Sequence, residues 1–157
     1  MKILIVSDSH GDTAALRQAA ALEKPDRVFF LGDVVRDIRR IAAAFPGLPI
    51  DAVLGNCDGY GGEEGPEELE TAVGGVRFFL THGHRYRVKM GTGLLFRAGR
   101  DAGADVICFG HTHRAVCRQQ EGIWLVNPGS IGGVGSPASY AVAEVEQGKV
   151  TVSVGNL

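Results

Sequence analysis

Five short apolar runs in this chain end in the same way. Ile3-Leu4-Ile5-Val6 leads into Ser7-Asp8-Ser9-His10, and Val28-Phe29-Phe30-Leu31 leads into Gly32-Asp33. Ala52-Val53-Leu54 leads into Gly55-Asn56-Cys57-Asp58, and Phe78-Phe79-Leu80 into Thr81-His82-Gly83-His84. Val106-Ile107-Cys108-Phe109 leads into Gly110-His111-Thr112-His113. All five histidines of the chain lie in these segments. Imidazole, carboxylate and amide oxygen, without thiolate, form a donor set for Mn, Fe, Ni or Zn. In an extended tip, residues i and i+2 point the same way, so each X-y-His or His-y-His segment can send two side chains to one cluster. Gly32, Gly55, Gly83 and Gly110 permit tight turns that bring the backbone close to an ion. Such a set is too large for one tetrahedral ion and fits two ions of higher coordination. Two divalent ions carry more positive charge than Asp8 and Asp33 remove, which leaves room for a bridging hydroxide and an anionic substrate. Metals about 3.5–4 Å apart generate hydroxide near neutral pH and clamp the oxygens of an in-line phosphoryl displacement. Any one of these Asp or His residues alone would read as a turn former. Their repetition at five run ends carries the metal reading.

The elements that must position these residues follow from hydrophobic periodicity. The pattern predicts strands over 3–6, 28–31 and 52–54 and helices over 13–22 and 34–45. This βαβαβ order implies a parallel sheet with right-handed crossovers, whose carboxyl edge is where ligands bind. Strands over 71–73 and 76–80 flank Gly74-Gly75, a hairpin signal. A helix over 93–102 leads into a strand over 106–109. Two further hairpins pair 115–119 with 123–126 across Glu121-Gly122, and 140–145 with 150–154 across Gln147-Gly148. A parallel half followed by an antiparallel half predicts an α/β protein with two sheets face to face and helices outside. Residues 59–68, rich in Gly and Glu, read as an exposed loop. No linker or repeat divides residues 1–157, so one domain is expected.

The chain has 157 residues and a formal net charge of -2, so global charge points to neither nucleic acid nor an acidic membrane. No apolar run is long enough to span a bilayer. The first run passes directly into Asp8 and His10 and reads as a strand, not a signal peptide. Cys57, Cys108 and Cys117 are odd in number and form no C-x-x-C pair, which fits a reducing cytoplasm and no thiolate zinc site. Cys108, inside an apolar run, reads as core. Arg36, Arg39 and Arg40, and likewise Arg85, Arg87 and Lys89, read as solvated charges or as contacts to a substrate phosphate. Gly132-Gly133-Val134-Gly135 lacks a strand–helix context and reads as a flexible loop.

The set Asp8-x-His10, Gly32-Asp33, Gly55-Asn56-x-Asp58, His82-Gly83-His84 and Gly110-His111-x-His113 resembles the calcineurin-like metallophosphoesterase superfamily. Together with Asn127-Pro128-Gly129-Ser130, Gly55-Asn56-Cys57-Asp58 is similar to its small, single-domain phosphodiesterase branch. The resemblance spans nearly the whole chain and implies a four-layer αββα sandwich built of two mixed sheets. It implies one metal on Asp8, His10, Asp33 and His113, and a second on Asp33, Asn56, His82 and His111. Manganese is the first choice, with Fe, Ni or Zn as alternatives. Asn56 and Asp58 are the candidates to meet the substrate phosphate. Many members of the superfamily carry His where this chain has Cys57. The leaving-group acid is therefore sought in His84 or in Cys57, and His84 has the alternative role of orienting His82.

The implied activity is hydrolysis of small phosphodiesters by metal-bound hydroxide. Phosphomonoester hydrolysis is the nearest alternative. From another class comes a non-catalytic interaction scaffold like the retromer subunit of eukaryotes, for which degraded ligands would be the sign. The expected partner is a small phosphate ester, with no nucleic-acid polymer and no membrane; a homo-oligomer stays open. Glu63, Glu64, Glu67 and Glu68, just after the Asn56 loop, would repel a polyanion.

Overall fold

The computed structural model describes residues 1–157. The chain runs β1 (Lys2–Val6), α1 (Thr13–Glu23), β2 (Arg27–Phe30), α2 (Val35–Ala42) and β3 (Ile50–Ala52). It continues with β4 (Glu68–Val73), β5 (Val76–Thr81), α3 (Gly93–Asp101) and β6 (Val106–Cys108). It ends with β7 (Ala115–Gln120), β8 (Ile123–Pro128), β9 (Ser139–Glu146) and β10 (Lys149–Asn156).

The inner strands are apolar on both faces, and both faces are buried. On β1, Ile3 and Ile5 enter the layer between the sheets, while Leu4 and Val6 face α1 and α2. On β2, Phe29 points inward and Val28 and Phe30 outward. On the second sheet, Phe78, Leu80, Val106, Cys108 and Val126 fill the inner layer. Phe79, Ile107 and Leu125 pack outward with Leu95 and Phe96 of α3. The period of two thus produces four layers: helices, sheet, sheet, helix. Phe29 and Phe78 meet in the inner layer edge to face, with ring centroids 5.1 Å apart, a geometry worth about 0.5–1.5 kcal/mol beyond the area buried.

The sheets have strand orders β10-β9-β1-β2-β3 and β4-β5-β6-β8-β7. β1, β2 and β3 are parallel, as are β5, β6 and β8. The outer pairings are antiparallel. The expected αββα sandwich of two mixed sheets is present, but the parallel and antiparallel halves of the sequence do not each make one sheet. The β9–β10 hairpin returns to the first sheet and pairs with β1. The three hairpin turns are as read. Both central residues have positive φ at Gly74-Gly75, Glu121-Gly122 and Gln147-Gly148, which suits the twist of the strands they join.

Most boundaries shift by one or two residues, and two shift by three. β4 starts at Glu68, inside the segment read as a loop and three residues before the expected strand, and the end of α2 moves as well. α2 ends at Ala42, not at Phe45. Phe45 precedes Pro46, whose ring disfavours the α region there, and the last bonds tighten to Ala44 N–H to Ile41 O and Phe45 N–H to Ala42 O. β3 starts earlier, at Ile50, and has ended before Leu54. No helix is long and apolar enough to cross a membrane.

Candidate metal centre

β1, β2 and β3 of one sheet and β5 and β6 of the other send their carboxyl ends to the same edge of the sandwich. Asp8 Oδ1 lies 3.1 Å from His113 Nε2 and 3.9 Å from both His10 Nε2 and His82 Nε2. Asp33 places Oδ1 3.4 Å from His82 Nε2 and Oδ2 3.8 Å from His10 Nε2. His10 Nε2 and His113 Nε2 are 3.4 Å apart. One donor atom each from Asp8, His10, Asp33 and His113 fall within 4.8 Å of one another. The His111 ring centroid is 5.1 Å from that of His82.

The tautomers are set from outside the cluster. His82 Nδ1 lies 2.7 Å from the Leu31 carbonyl and His113 Nδ1 lies 3.2 Å from the Val134 carbonyl. A carbonyl only accepts, so each Nδ1 holds a proton and each Nε2 turns a lone pair inward. Asp8 Oδ1 and His82 Nε2 are buried without any hydrogen-bond partner. Leaving a buried polar atom unsatisfied costs about 1–3 kcal/mol. Lone pairs and carboxylates facing one another this closely fit a shared cation, and the donor types suit a divalent metal.

The charge balance points the same way. Burial pushes the Asp8 carboxyl up, against the opposing pull of His82. Burial acts on Asp33 too, but hydrogen bonding and charge from His82, with the Cys57 N–H, hold it far below the carboxylate range. His82 is pushed down by burial, but Asp33 and Asp8 raise it on balance. His111 is pushed down to about 4, by burial and by the charges of His82 and Lys89, so at neutral pH its lone pair is free.

The backbone is forced to make this cluster. Asp8, His10, Asp33, His111 and His113 all have φ between 45° and 65°. Each left-handed non-glycine residue costs roughly 1–2 kcal/mol, and such strain concentrates at functional sites. The glycines act by absence of a side chain. A Cβ on Gly55 would sit 2.2 Å from Asp33 Oδ1, and one on Gly110 would sit 2.0 Å from Ser7 Oγ and 2.8 Å from Asp8 Oδ2.

Asn56 stands at the exposed rim, where its Nδ2 donates to Cys57 Sγ at 3.5 Å. It shares a hollow with His84, Tyr60 and Glu67. His84 does not orient His82, because Leu31 occupies the His82 Nδ1. Its own Nδ1 is buried and unpartnered, 5.5 Å separates its ring from that of His82, and burial followed by the charge of His82 lowers its pKa. Burial, then Asp33, pushes the Cys57 thiol up to about 11.

Asp58 requires a correction. It is not turned toward a substrate phosphate but is 2% exposed beneath the site. Its Oδ2 accepts the N–H groups of Asp33 at 3.0 Å and Gly55 at 2.7 Å, and its Oδ1 accepts that of Val35 at 2.7 Å. The carboxylate thereby ties the Asp33 loop to the Asn56 loop and satisfies the first turn of α2.

The supporting role of several residues escaped the sequence reading. Asp37, 1% exposed, accepts from Ser9 Oγ and Gly11 N–H, each at 2.8 Å, and braces the His10 loop. Its position beside the Ile38 and Ile41 stripe of α2 was the available sign. Ser130 donates to the Asp8 carbonyl, and Asn127 Nδ2 to the Gly110 carbonyl and to Thr112 Oγ1. Asn127-Pro128-Gly129-Ser130 therefore holds the Asp8 and His111 loops together.

The sequence model of the calcineurin-like phosphoesterase superfamily domain matches residues 1–148. The chain belongs to this superfamily. It is 36% identical over 159 residues to "Probable metallophosphoesterase YsnB" of Bacillus subtilis, covering 97% of this chain and 89% of that protein. It is 29% identical to "Phosphodiesterase YfcE" of Escherichia coli, covering 92% and 88%. Among solved structures it resembles a conserved uncharacterized protein of Streptococcus pneumoniae with a TM-score of 0.81 and 28% identity, over 99% of this chain and 88% of that one. Membership in the calcineurin-like superfamily and the Asp8–His10–Asp33–His113 cluster agree on a metal-dependent phosphoesterase served by divalent ions.

Proposed function

We propose that this phosphoesterase hydrolyses small phosphodiesters at a centre of two divalent ions, manganese before iron, nickel or zinc. One ion would be held by Asp8, His10, Asp33 and His113, and the other by Asp33, Asn56, His82 and His111. The observation that carries the reading is the pair of buried unpartnered atoms, Asp8 Oδ1 and His82 Nε2, 3.9 Å apart beside the Asp33 carboxylate. When bound, divalent ions supply a nucleophilic water near neutral pH and positive charge toward the phosphoryl oxygens.

The chain's own residues do the rest. The Leu31 and Val134 carbonyls keep His82 and His113 in the tautomer that points Nε2 inward. Asn56 offers an amide oxygen without adding negative charge, which favours an anionic ester. His84, in the hollow beside Asn56, is the first candidate to protonate the leaving oxygen. Cys57 is the second and the weaker, because a thiol with its pKa pushed up to about 11 holds its proton.

The preference for a diester over a monoester rests on the likeness to a protein named a phosphodiesterase. The scaffold alternative has the intact donor set against it. Glu67 lines the Asn56 hollow, which disfavours a nucleic-acid polymer. Elemental analysis after reconstitution with Mn, with a panel of diesters and monoesters, tests the reading. About two ions per chain are expected, as a two-metal site requires. One tightly bound ion with full activity would overturn it.

A further inference from the structure

The hollow beside Asn56 belongs to the site itself, because two of its walls are a proposed metal ligand and the proposed acid. It holds about 380 Å³ and is lined by Asn56 and His84 together with Leu54, Tyr60 and Glu67, a size in the range of small-ligand sites. An ester whose leaving oxygen meets His84 must place its leaving arm here. Leu54 offers that arm an apolar surface. The Glu67 carboxylate, paired with Arg85, disfavours a negative charge beside it.

Tyr60 is the residue of this hollow that the fold does not explain. The chain has seven Phe, three Tyr and one Trp, and all of them except Tyr60 are buried or half-buried. Tyr60 is 97% exposed, so its ring adds nothing to any core. The segment that carries it is nevertheless tied down on both sides. Gly61 N–H donates to the Asp58 carbonyl at 3.1 Å, and the Asp58 carboxylate is the one that joins the Asp33 and Asn56 loops. Arg39 of α2 pairs with Glu63 and donates to the Glu64 carbonyl at 2.9 Å. Leu54 N–H donates to the Pro66 carbonyl at 2.8 Å. These bonds hold an aromatic ring out of the core and at the rim of the catalytic hollow. A free aromatic face in that place is a platform on which another flat ring stacks. Resting on the phosphodiesterase reading above, we propose that Tyr60 receives the leaving arm and selects diesters in which that arm is an uncharged aromatic ring.

Two esters that share a retained arm test this on the Mn-loaded protein: methyl phenyl phosphate and methyl hexafluoroisopropyl phosphate. Their leaving alcohols are of similar acidity and both are apolar, but only phenol has a ring to stack. The readout is the ratio of the two KM values, since a contact made equally in the ground and transition states acts on KM and not on kcat. In the wild-type protein the phenyl ester should have the lower KM by roughly tenfold, the scale of one stacked ring. Tyr60→Phe should keep that ratio, and Tyr60→Leu and Tyr60→Ala should bring it close to one. Unchanged melting temperatures, as expected for an exposed side chain, show that the variants are folded. A wild-type ratio near one overturns the proposal and leaves the phosphodiesterase reading standing. So does a ratio that survives in Tyr60→Leu or Tyr60→Ala, or one that is lost in Tyr60→Phe. Hydrolysis of neither ester overturns that reading, and this proposal with it.

Discussion

Asp58→Asn tests whether the site is held from below. The substitution keeps the shape of the side chain and removes its charge. In the native protein Oδ2 receives two N–H groups and Oδ1 one. An amide oxygen in the Oδ2 position can keep the bonds from Asp33 and Gly55, now neutral. The amide nitrogen then faces the Val35 N–H, donor against donor, at the first residue of α2. Hydrogen bonds to charged acceptors contribute about 1.5–3 kcal/mol and neutral ones about 0.5–1.5 kcal/mol. Weakening two bonds and losing the third therefore costs about 3–5 kcal/mol by the same scale. A fold stabilised by about 5–15 kcal/mol survives this, and the melting temperature should fall by roughly 10 °C for a chain of this size. Thermal unfolding followed by circular dichroism in chelator isolates the effect from metal linkage. On the folded variant, Mn titration should show weakened binding, because the left-handed backbone at Asp33 and Val34 has lost its anchor. A melting temperature within about 2 °C of wild type, far below that expectation, with Mn affinity unchanged, would refute the account of Asp58.

Gly110→Ala should leave the two sheets folded but displace Ser7 and Asp8, since the new Cβ would stand 2.0 Å from Ser7 Oγ; a shift of about 1 Å at a reacting centre costs around a hundredfold in kcat, read with Mn saturating. Asn56→Ala should cut kcat by a similar factor, about a hundredfold, without moving the melting temperature of the apo protein, because the side chain sits at the exposed rim. For Cys57→His, kcat/KM across esters graded by leaving-group pKa should show a flatter dependence than wild type, with the poorest leaving groups gaining about tenfold or more from the added acid; parallel slopes would show that His84 or the ions already do this work.

Much of the site is legible in the order of the residues, for a physical reason. Strands buried on both faces must be written as unbroken apolar runs, so the polar residue that ends each run is conspicuous. What the sequence hides is direction and partnership. Asp58 follows Asn56 in a loop, and nothing in its neighbours tells whether its carboxylate rises to solvent or turns down onto N–H groups. His84 follows His82 by two residues, yet the Nδ1 of His82 is taken by a carbonyl on β2's loop, 51 positions away. The alternation of β9 and β10 shows that they are strands but not that β1 is their neighbour, because Ala141, Ala143 and Val145 would pack in either sheet. α2 is amphipathic as read, and its end is set by Pro46, whose constraint acts on the residue before it.

The proposed donors come from both sheets: Asp8, His10, Asp33 and Asn56 from one, His82, His111 and His113 from the other. Ions held as proposed would rivet the two layers at their upper edge, while Phe29 and Phe78 interlock them below. Only a chain in which both sheets have docked in register can load such a centre. Half-assembled forms would lack three or four of the seven donors, and metal would draw the population toward the fully docked state by mass action. Loading would then act as an assembly checkpoint: a chain that has not finished folding has no means to hydrolyse anything.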